Sequence, residues 1–99
     1  MNGIALYINK KDNVATVFMN DVKTGQYILV KDRSGETKEF KVNQPIPYGH
    51  KIAVKSIPVG TPVIKYGEQI GIATKDIQPG DHVHIFNLES TRGRGDLKL

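Results

Sequence analysis

The chain has 99 residues, a formal net charge of +4 and no cysteine. That length supports one domain with one modest core, and the missing thiols exclude a disulfide scaffold and any thiolate metal site. No apolar run approaches the roughly 20 residues that cross a bilayer, and Lys10, Lys11, Asp12 and Asn13 break any signal-peptide core, so a cytoplasmic protein without membrane contact is expected.

Turn residues punctuate the chain at short intervals. Asp12-Asn13, Lys23-Thr24-Gly25, Arg33-Ser34-Gly35, Pro45 to Gly49, Pro58 to Pro62 and Pro79-Gly80-Asp81 all read as turns. Between them lie short apolar runs that read as strands: Ile4 to Ile8, Val14 to Met19 and Tyr27 to Val30. Arg33 to Glu36 closes a hairpin onto Thr37 to Val42. Lys51 to Ser56, Val63 to Tyr66, Gln69 to Thr74 and His82 to Phe86 follow. No window carries a 3.6-residue apolar stripe over three turns. The pattern predicts a single all-β domain over 1–99, with at most one or two short helical turns, one of them near Pro79. The apolar residues are mostly Val, Ile and Leu, which suit strands. The first 45 residues are more polar and are expected to form a smaller lobe or a hairpin against the rest. Ser56-Ile57-Pro58-Val59-Gly60 resembles Asp76-Ile77-Gln78-Pro79-Gly80, a repeated turn device. The stretch 89–99 is polar and glycine-rich and is expected to be a flexible tail.

All three histidines fall between positions 50 and 84. Imidazole suits proton transfer near neutrality and the ligation of borderline metals. Strand alternation places His82 and His84 on one face, together with Phe86. The two rings can converge on one metal, or they can be solvated residues of an edge strand. His50, after Gly49, either sits at the mouth of a cleft or fixes its own turn. Lys65 either holds a substrate carboxylate or guards a strand edge. Asn87 either donates to a substrate oxygen or caps the turn that leaves the strand. Arg92 and Arg94 either close over an anion or belong to the tail. The chain has no Gly-rich phosphate loop, no nucleophile elbow and no CxxC.

Five segments in register carry a family resemblance. They are Asp12-Asn13-Val14-Ala15, Pro47-Tyr48-Gly49-His50-Lys51-Ile52-Ala53, Val63-Ile64-Lys65-Tyr66-Gly67, Ile70-Gly71-Ile72-Ala73, and His82-Val83-His84 with Asn87. The chain resembles the small SAF-type (β-clip) domain of the altronate and galactarate dehydratase family, which is also the small subunit of sulfolactate sulfo-lyases. The resemblance implies a β-clip fold and β-elimination of water from an acidic sugar, an altronate- or galactarate-like 2-hydroxy acid. It further implies a large dehydratase subunit as partner and a divalent metal, iron or another, in the holoenzyme. His50, His82 and His84 are then the expected catalytic residues, with His82 and His84 as metal ligands. Lys65, Asn87, Arg92 and Arg94 are the expected substrate-binding residues. Family members often carry a third histidine in the run where this chain has Phe86. No three-imidazole cluster is therefore expected, and further ligands would come from the partner chain or from substrate.

The expected function is that of a small dehydratase subunit, inactive alone. A second reading is a non-catalytic SAF-type module that binds a carbohydrate or a protein. A basic nucleic-acid binder is the weakest reading, because no Lys/Arg run or aromatic interleaving accompanies the charge. Strand edges leave room for a homo-oligomer.

Overall fold

The computed structural model describes residues 4–6 and 10–90. Nine strands are found there: β1 (Ile4–Leu6), β2 (Val14–Val17), β3 (Tyr27–Lys31), β4 (Thr37–Lys41), β5 (Lys51–Ala53), β6 (Pro62–Lys65), β7 (Glu68–Ala73), β8 (His82–Val83) and β9 (Leu88–Ser90). The described residues contain no helix, so the fold is all-β as expected; the turn expected to be helical near Pro79 is a β-turn. No described helix is long and apolar enough to cross a membrane.

Six strands form one sheet in the order β4-β3-β1-β2-β5-β8, and three form a second in the order β6-β7-β9. Every pair is antiparallel except β1 with β3. The expected hairpin at Arg33 to Glu36 is present. Asp32 Oδ1 accepts from the Ser34 and Glu36 N–H groups at 2.9 and 3.0 Å. β3 alternates exposed and buried residues, with Ile28 and Val30 inside. Its edge neighbour β4 is largely charged and exposed, which guards the unpaired edge.

The core is divided into two clusters. One gathers Val17, Val22, Ile28, Val42, Ile46 and Ile52. The other gathers Val14, Ala53, Ile57, Val63, Ile77 and Val83. Strands β2 and β5 serve both: Ala15 and Ile52 face the first cluster, Val14 and Ala53 the second. All four residues of β2 are buried. The first 45 residues supply most of the first cluster, which shares its walls with the second.

The turn device occurs four times, not twice. Each copy is a buried Val or Ile, two residues, and a glycine that leads toward a strand: Val22 to Gly25, Ile46 to Gly49, Ile57 to Gly60 and Ile77 to Gly80. In each, the N–H after the glycine donates back three residues, at 3.0–3.1 Å: Gln26 to Lys23, His50 to Pro47, Thr61 to Pro58, Asp81 to Gln78. The glycines have φ between 82° and 96°, as the third position of a type II turn requires. The anchors pair as Val22 with Ile46 and Ile57 with Ile77.

Candidate functional site

Two of the four turns deliver the histidines. His50 follows Gly49 into β5, and His82 follows Gly80 and Asp81 into β8. The two strands pair antiparallel, Ile52 opposite His82 and Lys51 opposite Val83. This pairing runs His50 alongside His84; their rings stack with centroids 4.1 Å apart. His50 Nδ1 and His82 Nε2 are 2.9 Å apart, one donating to the other. The His82 and His84 centroids are 5.9 Å apart. One ring nitrogen from each of the three residues lies within 4.8 Å of the other two.

The expectation that Phe86 precludes a three-imidazole cluster is thus corrected. The third imidazole comes from His50, 32 residues before His82 in the chain. Phe86 does not reach the site by strand alternation either, because β8 ends at Val83 and residues 84–87 form a turn. Its ring packs edge-on against His82 at 5.0 Å between centroids.

Asn87 explains why the strand stops. Its Oδ1 accepts the His84 N–H at 2.9 Å and its Nδ2 donates to the His82 carbonyl at 2.9 Å. Its own N–H donates to the His84 carbonyl. Asn87 is buried and both ends of its amide serve the turn that carries His84. Asn43 and Gln44 hold the other strand entry. Their amide nitrogens donate to Asp81 Oδ1 at 2.8 and 3.2 Å, and Gln44 Oε1 accepts the His82 N–H at 2.7 Å.

Two of the three imidazoles, those of His82 and His84, are pushed toward their neutral form. Burial, then the charges of His50, His84 and Lys51, push the His82 pKa down to about 4. Burial, then Lys51 and His50, lower that of His84. Neutral imidazole is the form that ligates a metal. His84 Nδ1 is buried and without a hydrogen-bond partner, an arrangement that costs about 1–3 kcal/mol unless something binds there. Three convergent imidazoles and one orphaned ring nitrogen fit a borderline divalent ion.

Lys65 lies at the end of β6, its Nζ 5.2 Å from the centre of the Tyr66 ring. With Tyr66, Glu68 and Ile70 it lines a surface cleft of about 400 Å³. A second cleft of about 490 Å³, between the β3–β4 hairpin and Val54-Lys55, shares no lining residue with the histidines. Arg92 and Arg94 lie outside the described residues, as does all of the expected tail after Ser90; Glu89 and Ser90 belong to β9 and pair with β7.

Sequence reasoning missed Lys51, Tyr66, Thr16 and Asp12. Lys51 is half-buried; burial, then the charge of Lys65, lowers its pKa. Tyr66 and Gly67 form the β6–β7 turn with φ of 55° and 78°. A two-residue turn with both φ positive prefers Asn-Gly or Asp-Gly, and a left-handed tyrosine is strained by about 1–3 kcal/mol. The turn is held from outside. Buried Asp12 accepts the Gly67 N–H through Oδ1 at 2.7 Å, and the Tyr66 hydroxyl meets Thr16 Oγ1 at 3.1 Å. Asn13 binds β6 beside it, accepting the Ile64 N–H at 2.8 Å. The only sequence signal for this arrangement was the Tyr66-Gly67 pair itself.

Comparison with known proteins gives a consistent picture. The model of the Altronate/galactarate dehydratase SAF domain matches residues 4–91. The (2R)-sulfolactate sulfo-lyase subunit alpha of Chromohalobacter salexigens is 35% identical over 85 residues, covering 82% of this chain and 87% of that protein. The altronate dehydratases of Bacillus subtilis and Escherichia coli are 36% and 39% identical over 83 residues, covering 84% of this chain. The chain spans only 16% of the length of either dehydratase.

Proposed function

Because the chain belongs to the altronate/galactarate dehydratase SAF-domain family, we propose that it is the small, imidazole-bearing subunit of a lyase. That lyase would eliminate water from a sugar-acid-like 2-hydroxy acid and work with a large catalytic chain. The meeting of His50, His82 and His84 carries this reading. The relative named subunit alpha has nearly the length of this chain, and the altronate dehydratases include a matching segment in a longer chain. Both arrangements support a domain that contributes to a larger enzyme.

Elimination beside a carboxylate needs a base for the α-proton, a cation for the charge that develops, and an acid for the departing hydroxyl. His50, His82 and His84 would hold a divalent ion, which when bound supplies electrostatic stabilisation of the developing negative charge. The chain's own residues prepare that place. Asn87 holds the backbone turn that carries His84, Phe86 packs against one edge of His82, and burial lowers the pKa of both imidazoles. Lys65 would attract the acid group.

Reconstitution of the chain with a large dehydratase subunit tests this. The His84→Ala variant should lose both bound divalent metal and dehydration of altronate or galactarate. Unchanged turnover and metal content in that variant would overturn the proposal. Metal-independent binding of a sugar, with no elimination by any reconstituted pair, would favour the binding-module reading.

A further inference from the structure

The second sheet covers only half of the face it packs against. On that face of the six-stranded sheet, Val14, Ala53 and Val83 of β2, β5 and β8 lie in the second core cluster. Ile28 and Val30 of β3 point the other way, into the first cluster with Ala5 and Val17. Alternation therefore puts Tyr27, Leu29 and Lys31 on the same face as Val14, beyond the reach of the second cluster. Tyr27 is 58% exposed and Leu29 40%. Opposite them on the edge strand β4 stand Lys41 and Glu39, both exposed. At the end of β2, Phe18 continues this face, and its ring meets that of Tyr48 edge-on with centroids 6.1 Å apart. Four of the eight large apolar side chains exposed among the described residues are thus gathered on the bare half. Single exposed apolar residues are ordinary, but a group of them rimmed by charge marks a contact surface.

The order of the charges says what this surface meets. One row across β3 and β4 is Tyr27 with Lys41, and the next is Leu29 with Glu39. No side chain among the described residues pairs with Lys41 or Glu39. A two-fold axis running across the strands, between these rows, lays each row on the other row of a second copy. Tyr27 then meets Leu29 and Lys41 meets Glu39, and symmetry makes each contact twice. A wholly acidic partner would oppose Glu39 with like charge, and a wholly basic one would oppose Lys41; the pattern is complementary to itself. We infer that the bare half of the six-stranded sheet is the interface of a symmetric dimer of this chain, with the two sheets packed face to face about 10 Å apart. In the order β4-β3-β1-β2-β5-β8, the strand that carries His82 is at the edge farthest from β4. Pairing through β3 and β4 leaves the imidazoles of both copies open to a large chain, and it does not depend on the lyase reading.

Sedimentation equilibrium of the full chain should show monomer and dimer in exchange. Leu29→Thr and Tyr27→Thr should each raise the dissociation constant about tenfold or more, because every contact is lost twice. Threonine keeps the strand preference and neither side chain is in the core, so the melting temperature of the monomer should hardly change. Glu39→Lys and Lys41→Glu should each weaken the dimer by opposing like charges. The double variant Glu39→Lys/Lys41→Glu should return the dissociation constant to within about twofold of the parent, since only the coupling of the pair distinguishes it from the single changes. Val59→Ser, at a side chain equally exposed but outside this sheet, should leave the dimer intact. A chain that stays monomeric, a dimer untouched by Leu29→Thr, or a double swap no better than the single ones overturns the interface. A monomeric chain whose pairing with a large dehydratase subunit is weakened by Leu29→Thr would overturn it too, and would give the face to that partner.

Discussion

The two halves of the core are built on the same device and differ in what the device presents. In one half Val22 bridges Ile46, and in the other Ile57 bridges Ile77. The glycine N–H groups are bonded alike, Gly25 to Val42, Gly49 to Val17, Gly60 to Ala73 and Gly80 to Ala53, all at 2.7–2.8 Å. After two of the glycines come Gln26 and Thr61, which lead to β3 and β6 and carry no histidine. After the other two come His50 and Asp81-His82, which lead to β5 and β8, and those strands pair with each other. One histidine turn comes from each half. The backbone repeat therefore supplies a scaffold, and the chemistry arises only where a copy from each half meets at the strands that both share.

The comparison can be broken most severely at the anchors. Ile46→Ala and Ile57→Ala should each cost about 2–5 kcal/mol, since both side chains are fully buried. Urea unfolding should show similar losses in a single transition. Two separate transitions, or a loss in one variant only, would mean that the halves are not equivalent.

A smaller effect separates glycines that share a φ but differ in surroundings. A β-carbon at Gly25 meets nothing within 4 Å, whereas one at Gly80 would collide with the Lys41 carbonyl. Gly25→Ala should cost roughly 1–2 kcal/mol from its left-handed backbone alone. Gly80→Ala should cost clearly more and also disturb the His82 resonances, because Asp81 and His82 hang from that turn. Equal melting temperatures for the two variants would contradict this.

The smallest effect concerns acid. His82 has a pKa of about 4 in the fold against an ordinary value of 6.5, so the unfolded chain binds the proton more readily. Its contribution to stability is complete above about pH 6.5 and fades as the pH falls toward 4. With solvent screening allowed for, the loss is on the order of 1 kcal/mol, or roughly 4–8 °C in Tm. A His82→Gln variant should show a flatter decline across that window than Gly25→Ala. A parent Tm that is level from pH 7 to 4.5 would count against the shifted imidazole.

Much of this was legible because turn chemistry is local. Glycine marks every copy of the device, yet only the two copies at 56–60 and 76–80 read as alike from the sequence. Val22 in place of Ile, and the absence of proline from 21–25, hid one of the others. The strand expected over His82 to Phe86 was lost to a side chain, since Asn87 offers the backbone a turn that competes with the ladder. The partner of His82 could not be read from spacing at all. It depends on β5 and β8 pairing across 32 positions, and the run His82-Val83-His84 directed attention to its own missing neighbour at Phe86 instead. Lys51 and Tyr66 were overlooked for a related reason. Each looks ordinary in its strand or turn, and only the register with Thr16 joins them.

A strand with no outward face has a further consequence. Because β2 and β5 are common walls, neither half can loosen without exposing the lining of the other. Whatever grips the seam at the imidazoles would therefore tighten the domain as a unit. Ligand occupancy should be felt at the distant β3–β4 hairpin as readily as beside the rings, so that this small body reports on its cargo with its whole frame.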